Sequence, residues 1–138
     1  MQYRLLGRTG LYVSEICLGT MTFGGAGFWK VIGELGVDAA TELVKTAFDG
    51  GVNFFDTADV YSEGQSEVIL GKALQQSGLP RDQVVIATKV RERLGNTPNQ
   101  VGLSRHHILN GVESQLETSP GRLHRSLPSS WFRSCDSN

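Results

Sequence analysis

Three side chains with complementary proton chemistry stand where apolar runs stop. Asp56 follows Asn53, Phe54 and Phe55; Tyr61 lies five residues beyond it; Lys89 stands two residues past the run VVIA at 84–87. A strand needs its apolar residues but has no use for a carboxylate at its end. An ammonium group beside a phenol favours the phenolate over the neutral form, whose ordinary pKa is about 10, and so makes the phenol a usable acid–base group. A carboxylate beside the lysine holds it and compensates its charge. Taken singly, Asp56 is a turn cap, Lys89 a surface residue and Tyr61 packing. Their joint placement after successive apolar runs favours a proton-transfer set.

The elements that must position them are legible from periodicity. Residues 2–5 and 12–13 flank the turn GRTG, a small hairpin. EICL at 15–18, closed by Gly19, reads as a strand, and GTMTFGGAGFWKVIG at 19–33 as a long Gly-rich loop. Asp38 reads as the N-cap of a helix in which Ala39, Ala40, Leu43, Val44, Ala47 and Phe48 recur at helical spacing, ending at Gly50-Gly51. A strand at 52–55, a helix at 66–74 stopped by Gly78, a strand at 84–87, a loop at 91–102 and a helix from Ser104 to about Leu116 complete the order. Strands alternating with helices are parallel βαβ units, whose strands read as near-continuous apolar runs when both faces are covered. The architecture is then a doubly wound sheet or a (β/α)8 barrel. At about 35 residues a unit, 138 residues fall far short of eight. In both architectures the loops after the strand C-termini carry the chemistry, and Gly19-Thr20-Met21, Asp56 and Lys89 all sit there.

Several classes are excluded on composition. A net charge of −1 with 20% charged residues gives no electrostatic case for nucleic acid or an anionic membrane. No apolar run approaches the roughly 20 residues of a membrane helix, and the N-terminus lacks a signal peptide's apolar core, so a cytoplasmic setting is expected. Cys17 and Cys135 are too few for a disulfide framework or a cysteine zinc site, and Cys17 reads as a buried small hydrophobe. His106 and His107 are adjacent on a helix and do not face each other, so no metal pair is expected. Neither a P-loop nor a G-x-G-x-x-G after a strand is present. Phe23, Phe28 and Trp29 read as walls of a cleft or as simple core.

With these residues in hand, the chain resembles the aldo-keto reductases over roughly residues 1–116. RLLGRTGLYVSEICLGTMTFGG is similar to that family's opening hairpin and first strand. GGVNFFDTADVYSEGQSEVILGKAL carries its D-x-x-x-x-Y motif, VVIATKV its third strand, and GLSRHHI the entry to its third helix. The resemblance implies the N-terminal portion of a (β/α)8 barrel: a hairpin and about three βα units. It also implies NADPH as cofactor, a small-molecule aldehyde or ketone as substrate, and hydride transfer to the carbonyl. On that resemblance Tyr61 is the general acid, Lys89 tunes it, and Asp56 pairs with Lys89. Gly19, Thr20, Met21 and Asp56 line the cofactor. Channel-associated members of the family imply an alternative, a non-catalytic cofactor-sensing or partner-binding module.

The family's fourth site residue, a histidine after the next strand, has no counterpart. Residues 117–138, ETSPGRLHRSLPSSWFRSCDSN, are rich in Ser and Arg and carry no strand pattern. Read one base later from Glu117, with free choice of synonymous codons, this segment can spell KRLQADYIDLYQAHGFDPVTP, close to the family's continuation. The expectation is therefore a frameshifted, truncated reductase: a partial barrel at 1–116, an aberrant irregular tail at 117–138, and little or no activity. Its open sheet edges favour self-association or aggregation. The gene sequence across residues 116–117 tests the frameshift.

Overall fold

A computed structural model of the chain describes residues 1–118. The expected tail, apart from its first two residues, lies outside the described residues. Strands β1 (Tyr3–Leu5) and β2 (Tyr12–Ser14) form the expected antiparallel hairpin, with Arg4 opposite Val13. Strands β3 (Leu18–Gly19), β4 (Phe54–Asp56) and β5 (Val85–Ala87) form a parallel sheet in that order. Each is followed by a helix: α1 (Val37–Asp49), α2 (Gln65–Ser77) and α3 (Arg105–Thr118). This is the expected hairpin plus three βα units of a partial (β/α)8 barrel, with no closed barrel among the described residues.

The register decides which side chains meet. Leu18, Phe55 and Ile86 are neighbours across the sheet, and this row packs with Ala40 and Val44 of α1 and Leu70, Ala73 and Leu74 of α2. Phe55 and Val44 are fully buried. Each large side chain so buried contributes roughly 1.5–3 kcal/mol, so this single-sided core holds the sheet to α1 and α2. The neighbouring row is Gly19, Asp56 and Ala87, pointing to the other face because side chains alternate along a strand.

Several expectations change. The first strand is only two residues, and Cys17 is exposed rather than buried. The face opposite the helices is uncovered among the described residues, so the strands are not sheathed on both sides. Phe54, Val85 and Ala87 are accordingly only half-buried. Gly36, not Asp38, is the N-cap of α1, without a side-chain bond. Asp38 lies in the first turn, where its charge meets the helix's positive end. Gly78 ends α2 as expected, in the left-handed conformation (φ 68°) that favours glycine. Ser104 caps α3, its Oγ accepting from the His107 N–H at 3.2 Å.

Asn53, read only as a strand residue, docks the hairpin onto the sheet. Its Oδ1 accepts from the Ser14 N–H (2.7 Å), its Nδ2 donates to Tyr12 O (3.1 Å), and its own N–H reaches Ser14 Oγ. A cavity of about 500 Å3 lies there, lined in part by Tyr3, Tyr12, Phe48 and Asn53. It is at the N-terminal ends of the strands, away from Asp56, Tyr61 and Lys89.

Candidate active site

Asp56 emerges between two residues, Gly19 and Ala87, too small to cover it. Beyond the strands the ladder continues: the Thr57 N–H donates to Ala87 O (2.9 Å) and the Asp59 N–H to Lys89 O (3.2 Å). That extension fixes Lys89 beside the rising 57–59 segment. Its ammonium donates to Asp56 Oδ2 at 2.7 Å, to Thr57 O at 2.6 Å and to Tyr61 Oη at 3.4 Å, and lies 5.0 Å from the Tyr61 ring centre. The three predicted residues therefore meet around one ammonium. Burial alone would lower the Lys89 pKa, but its bonds to Asp56 and Tyr61 outweigh this and raise it. The lysine stays cationic and acts as a fixed positive charge against the phenol.

Tyr61 opens a tight turn, Tyr61–Gly64, in which Ser62 (φ 51°, ψ 38°) and Glu63 (φ 57°, ψ 39°) are both left-handed. That conformation costs a residue with a side chain roughly 1–2 kcal/mol. Ser62 is fully buried; its Oγ donates to Phe23 O (2.9 Å) and accepts from the Gly25 N–H (3.0 Å). On the other side, Trp29 meets the Tyr61 ring edge-on, with centres 5.4 Å apart. Phe23, Phe28 and Trp29 thus divide: Phe23 is core, Phe28 is 75% exposed, and Trp29 joins Val60, Tyr61, Lys89 and Glu92 in lining a cleft of about 380 Å3.

Beneath the cleft, Ser66 of α2 ties the sheet together. Its Oγ donates to Thr20 O (2.7 Å) and lies 2.9 Å from Thr20 Oγ1 and 3.4 Å from Thr57 Oγ1. The Thr20 hydroxyl also donates to Asp56 O (3.2 Å). Thr20, fully buried, therefore spends its side chain on the scaffold, and its backbone is engaged there too: its N–H donates to Asp56 O (2.9 Å) and its carbonyl also accepts from the Phe23 N–H (2.9 Å). Gly19 and Met21 remain exposed, and a Cβ built on Gly19 would meet nothing within 4 Å.

Two acids stand close by, one buried and one half-buried. Asp59 is 7% exposed and its Oδ2 has no partner. Burial raises its pKa, opposed by the nearby charge of His107 and a backbone bond at Val60. His107 is 3% exposed with Nε2 likewise unpartnered, while His106 is exposed and meets Asn110 Nδ2 at 3.1 Å; the two histidines diverge, as their adjacency predicts. Glu67 accepts from Thr88 Oγ1 at 2.7 Å, and burial raises its pKa too. Among the described residues no group of three or more acids, histidines and cysteines is placed to hold a metal. Asp59, Ser62 and Ser66 were not singled out by the sequence, whereas Trp29 was read as a cleft wall or core. The left-handed Ser62 carries no local signal at all, since a glycine is the usual occupant of such a turn.

Comparison with known proteins agrees with this geometry. The profile described as "Aldo/keto reductase family" matches residues 15–121. The chain is 42% identical over 117 residues to a "Putative voltage-gated potassium channel subunit beta" of Schizosaccharomyces pombe, covering 83% of this chain and 32% of that protein. It is 42% identical over 118 residues to a "Probable voltage-gated potassium channel subunit beta" of Oryza sativa subsp. japonica, covering 85% and 33%. With "Versiconal hemiacetal acetate reductase" of Aspergillus parasiticus it shares 37% identity over 134 residues, covering 85% and 38%. The alignments thus span about a third of the length of these relatives. A family match across most of the described residues, on a parallel sheet that brings Asp56, Tyr61 and Lys89 together, shows that this chain belongs to the aldo/keto reductase family.

Proposed function

We propose that the chain carries the acid side of an NADPH-dependent carbonyl reductase site, in a cytoplasmic setting. Tyr61 gives a proton to the carbonyl oxygen of a small aldehyde or ketone; Lys89 holds a positive charge against the phenol oxygen; Asp56 holds Lys89. The observation that carries this reading is the Lys89 ammonium standing 2.7 Å from Asp56 Oδ2 and 3.4 Å from Tyr61 Oη at the ends of adjacent parallel strands. The residues present fit one end of a nicotinamide nucleotide: open backbone at Gly19, an exposed Met21 and the Asp56 carboxylate border the same strand ends. When bound, the reduced nicotinamide supplies the hydride. The chain's own residues orient the acceptor and hold the proton at Tyr61 Oη. Trp29 gives the cleft an apolar wall.

Among the described residues the parallel sheet has three strands and an inner face that nothing covers. A polypeptide of these 138 residues alone is expected to show no NADPH-dependent turnover and to associate through its open edges; a clear rate from the purified polypeptide would sink that expectation. The site itself is tested by grafting residues 1–116 onto the remainder of the Aspergillus reductase. NADPH-dependent carbonyl reduction, followed at 340 nm, should fall by about 10²-fold or more on Tyr61→Phe, as for loss of a general acid. A folded graft indifferent to that change refutes the role of Tyr61. A second reading, a cofactor-sensing or partner-binding module, draws on the two relatives named as channel subunits. It predicts NADPH binding by the graft without turnover.

A further inference from the structure

We propose that Ser62 is the positioning residue of the site: its hydroxyl fastens the left-handed turn that presents Tyr61 to Lys89 and Trp29. The proposal rests on the reading of Tyr61 as the acid, and extends it to how the phenol is aimed. Two consecutive residues with side chains, Ser62 and Glu63, adopt positive φ immediately after Tyr61, a conformation disfavoured for both. Such a turn persists only if its surroundings hold it. Ser62 Oγ does so from both sides, donating to Phe23 O at 2.9 Å and accepting from the Gly25 N–H at 3.0 Å. Both partners lie on the loop that follows β3, and Trp29, which meets the Tyr61 ring, lies on the same loop. The fit is close: a Cβ on Gly24 would stand 2.7 Å from Ser62 Cβ. One hydroxyl thus locks the Tyr61 turn to the loop that walls the cleft.

The test separates the hydroxyl from the backbone. In Ser62→Ala both bonds are lost while the left-handed cost stays, so the turn should relax. In Ser62→Gly the bonds are lost but the cost at position 62 vanishes, leaving only that at Glu63, so the turn should survive. The readout is the nuclear Overhauser contact between the Tyr61 and Trp29 rings in the full chain, with far-UV circular dichroism as the check on folding. The contact should be present in the wild type, lost in Ser62→Ala with the helical signal kept, and substantially restored in Ser62→Gly. A contact absent from the wild type, one that persists in Ser62→Ala, or one lost as fully in Ser62→Gly overturns the proposal; so does a collapse of the helical signal in both variants, which would make Ser62 a stability residue only. None of these outcomes depends on catalysis. Failure of the Tyr61 acid role would show separately, as a graft whose carbonyl reduction survives Tyr61→Phe.

Discussion

Replacing Ser66 by alanine removes the hydroxyl that joins β3, β4 and α2 beneath Asp56, and its cost can be worked bond by bond. The single Ser66 proton goes to Thr20 O at 2.7 Å, so in the 2.9 Å contact with Thr20 Oγ1 the threonine is donor, its one proton shared between Ser66 Oγ and Asp56 O. After the change, Thr20 O still accepts from the Phe23 N–H at 2.9 Å, and the Thr20 hydroxyl still reaches Asp56 O at 3.2 Å. Neither partner is orphaned. The Thr57 contact, at 3.4 Å, is too long to add much. One neutral bond at about 0.5–1.5 kcal/mol and a share of a second, without the surcharge for a stranded buried group, predict a loss of about 1–2 kcal/mol. With a urea slope of about 2 kcal/mol/M, the unfolding midpoint should fall by about 0.5–1 M at constant slope. Thr20→Val removes the other end of the same contact, and a double-mutant cycle should return a coupling of about 1 kcal/mol. An unchanged midpoint, a loss above about 3 kcal/mol or zero coupling would each refute this account of the network.

Asp59→Asn tests the buried carboxylate. Because burial raises the folded pKa of Asp59 above its unfolded value, the wild type gains stability as pH falls below that folded value and loses it as pH rises through it. The stability of Asp59→Asn relative to wild type should therefore climb between pH 4 and neutrality in paired urea titrations, and a flat difference would contradict the burial. Gly24→Ala places a Cβ 2.7 Å from Ser62 Cβ at φ 95° and should cost about 2 kcal/mol or more, read as a fall in thermal midpoint. Phe55→Ala empties the centre of the one core face and should cost about 3–5 kcal/mol, abolishing a cooperative transition. Phe54→Ala, on the open face, should cost less than half as much, and equal losses would show that the faces have been misassigned.

The parts of the fold that were legible in sequence are those written in side-chain period. The helical spacing of Ala40, Val44 and Phe48 and the apolar run through Phe55 put α1 and β4 where the structure has them. Asp56, Tyr61 and Lys89 were legible because a polar residue ending a buried run has few structural reasons to be there. What misled was coverage. EICL reads as a strand and Cys17 as core only if something packs on the inner face, and among the described residues nothing does. Asp38 looked like a cap because aspartate suits that role, yet Gly36 took it with no side-chain bond. Ser62 and Ser66 were invisible for another reason: a serine's meaning lies in partners some 40 residues away, at Phe23, Gly25 and Thr20, and no local pattern records them.

The same register that builds the core also delivers the chemistry. Leu18, Phe55 and Ile86 form one row across the sheet, and Gly19, Asp56 and Ala87 form the next. A slip of one residue in β4 would exchange the two faces. It would drive the Asp56 carboxylate against Leu70 and Val44 and expose Phe55. Burying an unpaired carboxylate in that apolar layer costs several kcal/mol, and the loss of Phe55 burial adds about 2 kcal/mol more. The apolar row therefore protects the position of Asp56 far more strongly than its own bond to Lys89, which is a partly exposed ion pair of modest worth. The run that ends in Asp56 places an acid at the strand's mouth because the phenylalanine before it can go nowhere else.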